Sequence, residues 1–311
     1  MPEENYVWLP RKNILTFEET SRLVDVFIDV GVDKIRLTGG EPLLRKDLPD
    51  LVELLAKKSS IQDLALTTNG MLLAERAVEL RDAGLHRLTV SLDTLRADRF
   101  RELTKFDGVD SVKTGLEAAQ KAGFTDLKID TVVIRGVNED EILDLLAFGE
   151  QTNAEVRFIE YMDVGGATRW SSNDVVSRRE MLNLITASLG AVTPVDLSSS
   201  APADRFLLPS GQSFGIISST TEPFCKSCDR SRLTADGLWF LCLYARTGTD
   251  LRKRLRSGMT HHELRELIQS TWTARNDRGA EVRLDASDRQ SLIPIETLQK
   301  EPHLEMHTRG G

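Results

Sequence analysis

All three cysteines of this 311-residue chain lie in one short stretch, "CKSCDRSRLTADGLWFLC", as Cys225, Cys228 and Cys242. The N-terminus "MPEENYVWLP" shows no export signal and the cysteine count is odd, so a metal site explains them better than a disulfide framework. Three thiolates without an obvious fourth ligand can hold zinc with an outside ligand, or an iron–sulfur cluster with one open iron. Three buried cysteines without metal are the remaining alternative.

The cysteines come together only if the chain reverses between Cys228 and Cys242. Asp236-Gly237 is a strong signal for a two-residue hairpin turn. In that register Ser231 faces Cys242, which therefore returns to within a few residues of Cys228. Two arginines flank the predicted site, Arg230 and Arg232.

A second group of chemically active residues lies in "KIRLTGGEPLLRKDL", which reads as a strand, a double-glycine turn and a helix. The period of two in a strand puts Lys34 and Arg36 on one face and Ile35 on the other. Lys128 and Arg157 occupy predicted strands further along the chain. We expect these four cations to line a lumen that binds an anionic ligand, although each could instead reach solvent or pair with a helix carboxylate.

The positions of these cations follow from a regular alternation of helices and strands, which we predict between residue 16 and about residue 188. The predicted strands are Lys34 to Thr38, Asp63 to Thr67, His86 to Leu92, Leu127 to Ile134 and Ala154 to Tyr161. Thr16, with Glu19 three residues later, predicts the start of the first helix by a capping box. Alternating strands and helices indicate parallel βαβ units.

The polar face on successive strands decides between two α/β architectures. A flat parallel sheet covered by helices on both sides should have nearly continuous apolar strands, so the alternation favours a partial TIM-like (β/α) barrel around a wet lumen. We predict this barrel over residues 1–190. A different substructure, which contains the cysteines, is predicted over residues 191–311.

Composition narrows the class of protein further. The net charge is −8, with 40% hydrophobic and 28% charged residues, which argues against a nucleic-acid-binding surface because such surfaces need clustered lysine and arginine. No apolar run approaches the roughly 18 residues that span a bilayer. We therefore expect a cytoplasmic protein without membrane or nucleic-acid partners.

Six motifs together resemble the GTP 3′,8-cyclase family of molybdenum cofactor biosynthesis, which are radical S-adenosylmethionine (SAM) lyases. The motifs are "IRLTGGEPLLRKDL", "LTTNG", "VSLDTL", "VRFIEYMDVG", "CKSCDRSRLTADG…C" and the terminal "GG". The resemblance implies a six-stranded partial barrel with a SAM-binding [4Fe-4S] cluster, and a second [4Fe-4S] cluster that ligates the guanine of GTP. SAM cleavage would yield a 5′-deoxyadenosyl radical that takes hydrogen from the ribose C3′, so that C3′ attacks C8.

The resemblance also implies roles for individual residues. SAM would contact Gly40, Ser91 and Met162. GTP would contact Lys34, Arg36, Thr67, Lys128 and Arg157 in the barrel, and Arg230, Ser231 and Arg232 beside the second cluster. That cluster would be held by Cys225, Cys228 and Cys242, and the tail Gly310-Gly311 would reach into the active site. No side chain is expected to act as an acid or base, an electron donor would be a further partner, and a homodimer is compatible with the sequence.

The sequence departs from the family pattern at one place. The family's SAM-binding cluster needs a Cys-x3-Cys-x2-Cys loop, and no such motif occurs in these 311 residues. The last cysteine of that loop is followed by Met-Pro in the family, so Met1 resembles an internal methionine. We expect a preceding segment that carries the loop and the first barrel strand, and inactivity of the chain without it. The alternative is a cluster-deficient relative that binds nucleotide without catalysis.

Overall fold

The structure, a computed structural model, describes residues 9–164, 170–195, 200–286, 289 and 292–310. The strands are β1 Lys34–Leu37, β2 Asp63–Thr68, β3 Arg87–Ser91, β4 Leu127–Val133, β5 Ala154–Glu160, β6 Thr193–Val195, β7 Asp204–Leu207, β8 Ser213–Ile217, β9 Arg232–Leu233, β10 Leu238–Phe240 and β11 Thr249–Asp250. The α-helices are α1 Phe17–Asp29, α2 Leu48–Ala56, α3 Leu73–Asp82, α4 Ala97–Thr104, α5 Val109–Lys121, α6 Ile142–Gln151, α7 Arg178–Leu189, α8 Leu251–Arg256, α9 His261–Thr273, α10 Gly279–Leu284, α11 Ile295–Lys300 and α12 Met306–Arg309.

The main sheet has the strand order β1-β2-β3-β4-β5-β8-β7-β6. Strands β1 to β5 and β8 run parallel to one another, whereas β7 pairs antiparallel with β8 and β6 pairs antiparallel with β7. Each of the five predicted strands begins and ends within one residue of its observed bounds. The α/β prediction with parallel strands is confirmed. The sixth parallel strand, β8, lies beyond residue 190, so the sheet crosses the predicted division of the chain.

The two faces of the parallel strands differ as their alternation predicts. Leu64, Leu66, Leu88, Val90 and Ile129 are fully buried in one large apolar core with the intervening helices. Side chains in the alternate positions form the opposite face, which we call the polar face. Register places these positions in rows across the sheet, since Thr67 pairs with Thr89, Thr89 with Lys128, and Asp130 with Arg157.

Helix α1 begins as predicted. The Glu19 amide donates to Thr16 Oγ1 at 3.1 Å, and the Thr16 amide donates to Glu19 Oε2 at 2.9 Å, which completes the capping box. Phe27 on its buried side meets the ring of Trp239 edge to face, with centroids 5.6 Å apart. Helix α1 therefore shares a second apolar core with β10, α8 and α9 from the C-terminal part of the chain.

The hairpin between the cysteines has a three-residue turn, one residue longer than predicted. Arg232 pairs with Phe240, so the turn between the strands spans residues 235–237. The predicted two-residue turn is wrong, and with it the pairing of Ser231 with Cys242. The ladder ends at Arg232 and Phe240.

The longer turn is stabilised by side chains that the two-residue signal does not include. Thr234 Oγ1 bonds to Asp236 Oδ1 at 2.7 Å and accepts the Leu238 amide at 2.9 Å. Gly237 has φ +86°, a left-handed conformation that three-residue hairpin loops require. Asp236 Oδ2 also meets His303 Nε2 at 2.8 Å, so a residue far along the chain holds the turn.

Candidate active site

Arg36 organises the polar face near the edge of the sheet. Its Nη1 donates to Thr67 Oγ1 and to Thr89 Oγ1, both at 2.9 Å, and so crosses three strands. Arg36 is exposed as a residue, but the protein atoms around its guanidinium lower its pKa, while the charge of Asp130 opposes that shift. The predicted pair Arg36 and Thr67 is thus brought into direct contact.

Lys128 lies in the row of Thr67 and Thr89, and Arg157 lies on the neighbouring strand β5, one row further along. Burial lowers the pKa of Lys128 to about 8, and repulsion from Arg157 and Arg87 acts in the same direction. Arg157 is partly neutralised, because its Nε donates to Glu155 Oε1 at 2.8 Å. Among the described residues neither Arg36 nor Lys128 forms an ion pair, so these two carry the predicted cationic character of the polar face. Lys34 lies exposed at the opposite, amino end of β1.

Asp130 is a polar-face residue that sequence reasoning did not assign to the site. Its Oδ1 is inaccessible to solvent and has no hydrogen-bond partner in the described part of the chain. Burial raises its pKa, against the charges of Arg157, Arg36 and Lys128. Its position in phase with Lys128 on β4 was the sequence signal that could have identified it.

The predicted SAM contacts lie at the carboxyl ends of three strands. Gly40 is exposed in the loop after β1, Ser91 is the exposed last residue of β3, and Met162 is half-buried just after β5. Ligands of parallel α/β folds bind at this edge. Glu41, which sequence reasoning missed, fixes the glycine loop because Oε1 accepts Thr68 Oγ1 at 2.7 Å and Oε2 accepts the Asn69 amide at 2.8 Å.

The cysteine hairpin, residues 225–242, surrounds one of its thiols with arginines. Cys228 Sγ accepts from Arg230 Nη2 at 3.7 Å and from Arg275 Nη2 at 3.6 Å, and Arg275 Nη1 donates to the Cys228 carbonyl at 2.8 Å. Burial acts to raise the pKa of Cys228, but bonds and charge from Arg230 and Arg275 outweigh it and lower that pKa. Arg275 was not foreseen because it lies 47 residues along the chain from Cys228.

Cys242 lies on the other side of the cysteine hairpin. A Cβ at Gly279 would come within 3.1 Å of its Sγ and would overlap Tyr244, so only glycine fits there. Burial lowers the pKa of Arg232 to about 10, and the charges of Cys242 and Cys228 oppose that shift. The three cysteines are free thiols, and within the described residues no three His, Cys, Asp or Glu side chains converge tightly enough to ligate a single metal ion.

The C-terminal tail, residues 302–310, joins the two parts of the predicted site. Gly310 is buried, and its carbonyl accepts from Arg232 Nε at 3.4 Å. A methyl group at Gly310 would overlap the side chain of Thr38, the residue after β1. The tail therefore lies between the carboxyl end of β1 and the cysteine hairpin. Gly311 lies outside the described residues, and Ser231 is exposed beside Arg232.

Comparison with known proteins connects this arrangement to characterised families. Residues 5–149 match the Radical SAM superfamily, and residues 154–281 match the family described as Molybdenum Cofactor Synthesis C. GTP 3′,8-cyclase 1 of Mycobacterium tuberculosis is 54% identical over 315 residues, which cover 100% of this chain and 88% of that protein. The GTP 3′,8-cyclase of Acidothermus cellulolyticus is 47% identical, with 93% and 82% covered.

Solved structures support the same fold. The crystal structure of Streptococcus suis SuiB has a TM-score of 0.59 at 15% identity, covering 82% of this chain and 62% of that chain. The same protein bound to S-adenosylmethionine gives 0.58 at 15% identity, with 86% and 62% covered. The fold is thus a partial TIM-like barrel of the radical SAM type. In the part of the chain that the structure describes, no helix is long and apolar enough to cross a membrane.

Proposed function

The chain belongs to the GTP 3′,8-cyclase family of radical SAM enzymes, and we propose that it binds GTP between the polar face and the cysteine hairpin for the early cyclisation step of molybdenum cofactor biosynthesis. One observation carries this placement. Gly310 bonds to Arg232 on the cysteine hairpin and packs on Thr38 at the end of β1. This link between the cysteine hairpin and the end of β1 supports a single nucleotide site between the two parts of the chain.

The polar face is suited to the triphosphate end of the nucleotide. Arg36 and Lys128 carry charge there without a carboxylate partner among the described residues, and guanidinium and ammonium groups donate strong hydrogen bonds to phosphate. Thr67 holds Arg36 in position, and Arg157 lies one row further along. Lys34 would reach the phosphates only from the amino end of β1, so its predicted role is the weakest of these five.

The cysteine hairpin is suited to hold a [4Fe-4S] cluster at Cys225, Cys228 and Cys242. An iron–sulfur cluster binds one thiolate per iron, so its ligands need not converge on one ion. Arginines that donate to the Cys228 sulfur stabilise the thiolate form that such a cluster needs. When bound, the cluster supplies an open iron for the base, beside Arg230, Ser231 and Arg232.

SAM is proposed to bind at the carboxyl edge of the sheet. The loop at Gly40, the exposed hydroxyl of Ser91 and the side chain or backbone of Met162 face that edge. Radical SAM enzymes use a [4Fe-4S] cluster with SAM to generate the radical that starts the reaction. The residues of this chain bind the two substrates, orient them and exclude water.

The experiment that tests the cluster assignment is anaerobic reconstitution with iron and sulfide. Iron is expected to approach about four atoms per chain, because one cysteine triplet supports a single [4Fe-4S] cluster. The Cys225→Ser, Cys228→Ser, Cys242→Ser triple variant is the control and should retain no iron. About eight irons per chain would contradict the assignment, and about one zinc without charge-transfer absorption would support a structural zinc site.

GTP affinity is expected to fall as pH rises through about 8, because Lys128 loses its proton near that pH in the ligand-free protein. Only the protonated ammonium attracts phosphate, so binding is strongest below this pH and weakens above it. Calorimetric titration with GTP between pH 6.5 and about 9.5 measures the effect. Lys128→Arg is the control, because an arginine stays charged over this range and should flatten the profile; an equally steep profile in that variant would rule out Lys128 as the titrating group.

A second candidate function is nucleotide binding without radical chemistry. The observation in its favour is that the cysteine triplet at Cys225, Cys228 and Cys242 and the polar face would by themselves suffice to hold a nucleotide. The release of 5′-deoxyadenosine from SAM by a chain extended with the expected Cys-x3-Cys-x2-Cys segment would favour the enzyme, and no release by that extended chain would favour nucleotide binding alone. Two partners, an electron donor and a second copy of the chain in a homodimer, stay predictions. The division into functional regions at residues 1–190 and 191–311 also stays a prediction.

A further inference from the structure

We propose that Arg309 is a positioning residue that places the C-terminal end of the chain in the nucleotide site, a role that rests on the proposed function. Arg309 is only 4% exposed although it lies two residues from the terminus. Its Nη1 donates to the Leu243 carbonyl at 2.7 Å, and its Nε donates to the His303 carbonyl at 2.7 Å. Its guanidinium also lies over the Phe240 ring, 4.3 Å from the centroid.

These contacts tie the tail to the cysteine hairpin at one end of β10. Leu243 directly follows Cys242, and Phe240 is the last residue of β10. A planar guanidinium can donate to two carbonyls and stack on a ring at the same time, which a lysine cannot do. Arg309 therefore holds the tail against the carboxyl end of β10, two residues before Cys242.

A second contact holds the tail at the opposite end of the hairpin. His303 Nε2 meets Asp236 Oδ2 at 2.8 Å in the buried turn. Because the His303 carbonyl also accepts from Arg309, the tail lies along the hairpin with both ends attached. This arrangement directs Gly310 towards Thr38 rather than into solvent.

Burying this guanidinium has a cost that an ordinary packing residue would not carry. Burial lowers the pKa of Arg309 to about 10, and repulsion from Arg232 acts in the same direction. Its Nη2 has no hydrogen-bond partner in the described part of the chain, and no carboxylate pairs with it there. A buried charge is expensive unless nearby groups compensate it, and here the charge of Cys242 raises the pKa of Arg309, while the proposed nucleotide would add a second anion.

Arg309 also influences a proposed GTP contact indirectly. The Gly310 carbonyl accepts from Arg232 Nε, so a docked tail orients the Arg232 guanidinium beside the cysteines. Loss of Arg309 would release Gly310 and leave Arg232 free to reorient. We therefore expect GTP binding, which uses Arg232, to weaken more than SAM binding, whose proposed contacts do not include Arg232 or Gly310.

The test compares Arg309→Gln with Arg45→Gln in the full chain. Arg45 is a matched control away from the site, since its Nη2 donates to the Leu15 carbonyl at 2.9 Å and its guanidinium lies 5.0 Å from the Phe17 centroid. Hydrogen exchange by mass spectrometry on peptides covering the tail is the first measurement. Exchange of the tail amides is expected to accelerate at least about tenfold in Arg309→Gln and to match the parent in Arg45→Gln.

Calorimetry on the anaerobically reconstituted chain is the second measurement. GTP affinity should fall about tenfold in Arg309→Gln, and SAM affinity by much less. Equal loss of both affinities would indicate general destabilisation, and unchanged tail exchange would overturn the proposal. If the parent binds no GTP, the proposed function fails, whereas the exchange data still decide whether Arg309 holds the tail.

A second variant keeps the proposal testable if Arg309→Gln folds poorly. Gly310→Ala leaves Arg309 intact but introduces a methyl group that overlaps Thr38, and it should also weaken GTP binding. Gly258→Ala is its control, because Gly258 has a similar positive φ of +85° with open space around it. GTP affinity that is unchanged in Gly310→Ala would overturn the placement of the chain end in the site.

Discussion

Replacing Asp163 with asparagine is expected to lower the free energy of unfolding by about 3–5 kcal/mol, the usual cost of breaking a buried ion pair. Asp163 is 1% exposed and accepts from Arg283 Nε at 2.7 Å, from Arg289 Nε at 3.0 Å and from the Tyr244 hydroxyl at 3.2 Å. The asparagine amide removes the negative charge that Arg283 and Arg289 pair with. Urea denaturation of the parent and Asp163→Asn measures the difference.

The matched control is Asp140→Asn. Asp140 also pairs with two arginines, Arg96 at 3.0 Å and Arg99 at 2.7 Å, but its side chain is 47% exposed. Solvent screens such pairs, so the expected loss is below about 1 kcal/mol. A loss in Asp163→Asn no larger than that of Asp140→Asn would show that burial does not strengthen the Asp163 cluster.

The pH dependence of the same variant has a definite sign. Burial acts to raise the pKa of Asp163, but hydrogen bonds and charges from Arg289 and Arg283 outweigh it and lower that pKa. A carboxyl whose folded-state pKa is lowered stabilises the protein above its unfolded pKa, about 4, and loses that contribution as pH falls through the folded pKa. The stability gap between the parent and Asp163→Asn should therefore be constant near neutral pH and narrow in acid.

The Asp163 cluster also lies between the proposed SAM site and the proposed cluster site. Asp163 directly follows Met162, a proposed SAM contact, and Tyr244 lies two residues after Cys242. One carboxylate thus bonds to Tyr244 and to two arginines from the C-terminal part of the chain, so its loss removes the hydrogen bonds that join these segments. We expect Asp163→Asn to impair both binding sites beyond its effect on stability.

Cys242→Ser and Lys128→Ala are expected to affect nucleotide binding in different ways. Loss of the thiolate removes the proposed platform for the base, so the preference for GTP over ATP should fall to about one in the reconstituted chain, while both nucleotides keep their phosphate contacts. Loss of the ammonium removes a charge–phosphate contact, which weakens GTP and ATP alike by about 10- to 100-fold and guanosine much less. Calorimetric titration with GTP, ATP and guanosine separates the two effects.

Salt and a remote lysine provide the controls for this comparison. The penalty of Lys128→Ala should shrink with added salt to the extent that the polar face is solvated. Lys113→Ala removes a lysine on α5 that pairs only loosely with Asp110, at 3.6 Å, and should leave every affinity unchanged. Full GTP selectivity in Cys242→Ser, or an equal loss of guanosine and GTP in Lys128→Ala, would refute the proposed orientation of the nucleotide.

The sequence by itself determined the features that depend on near neighbours in the chain. Alternation with a period of two placed Leu64 and Leu66 in the core and Thr67 on the polar face, because side chains of a strand point to alternate sides whatever surrounds it. The capping box at Thr16 was equally local, since its two hydrogen bonds span three residues. Strand bounds and the parallel α/β class followed from such patterns.

Only the tertiary structure decided which charges are compensated and which chain segments meet. The sequence placed Arg230 and Arg232 beside the cysteines, but the fold also brings Arg275, 47 residues along the chain, against the Cys228 thiol. The turn at Gly237 depends on side-chain bonds reinforced by His303, which no window around the turn contains. Ion pairs and buried hydrogen bonds act over a few ångströms between residues far apart in the chain, so their partners are known only once the backbone has brought them together.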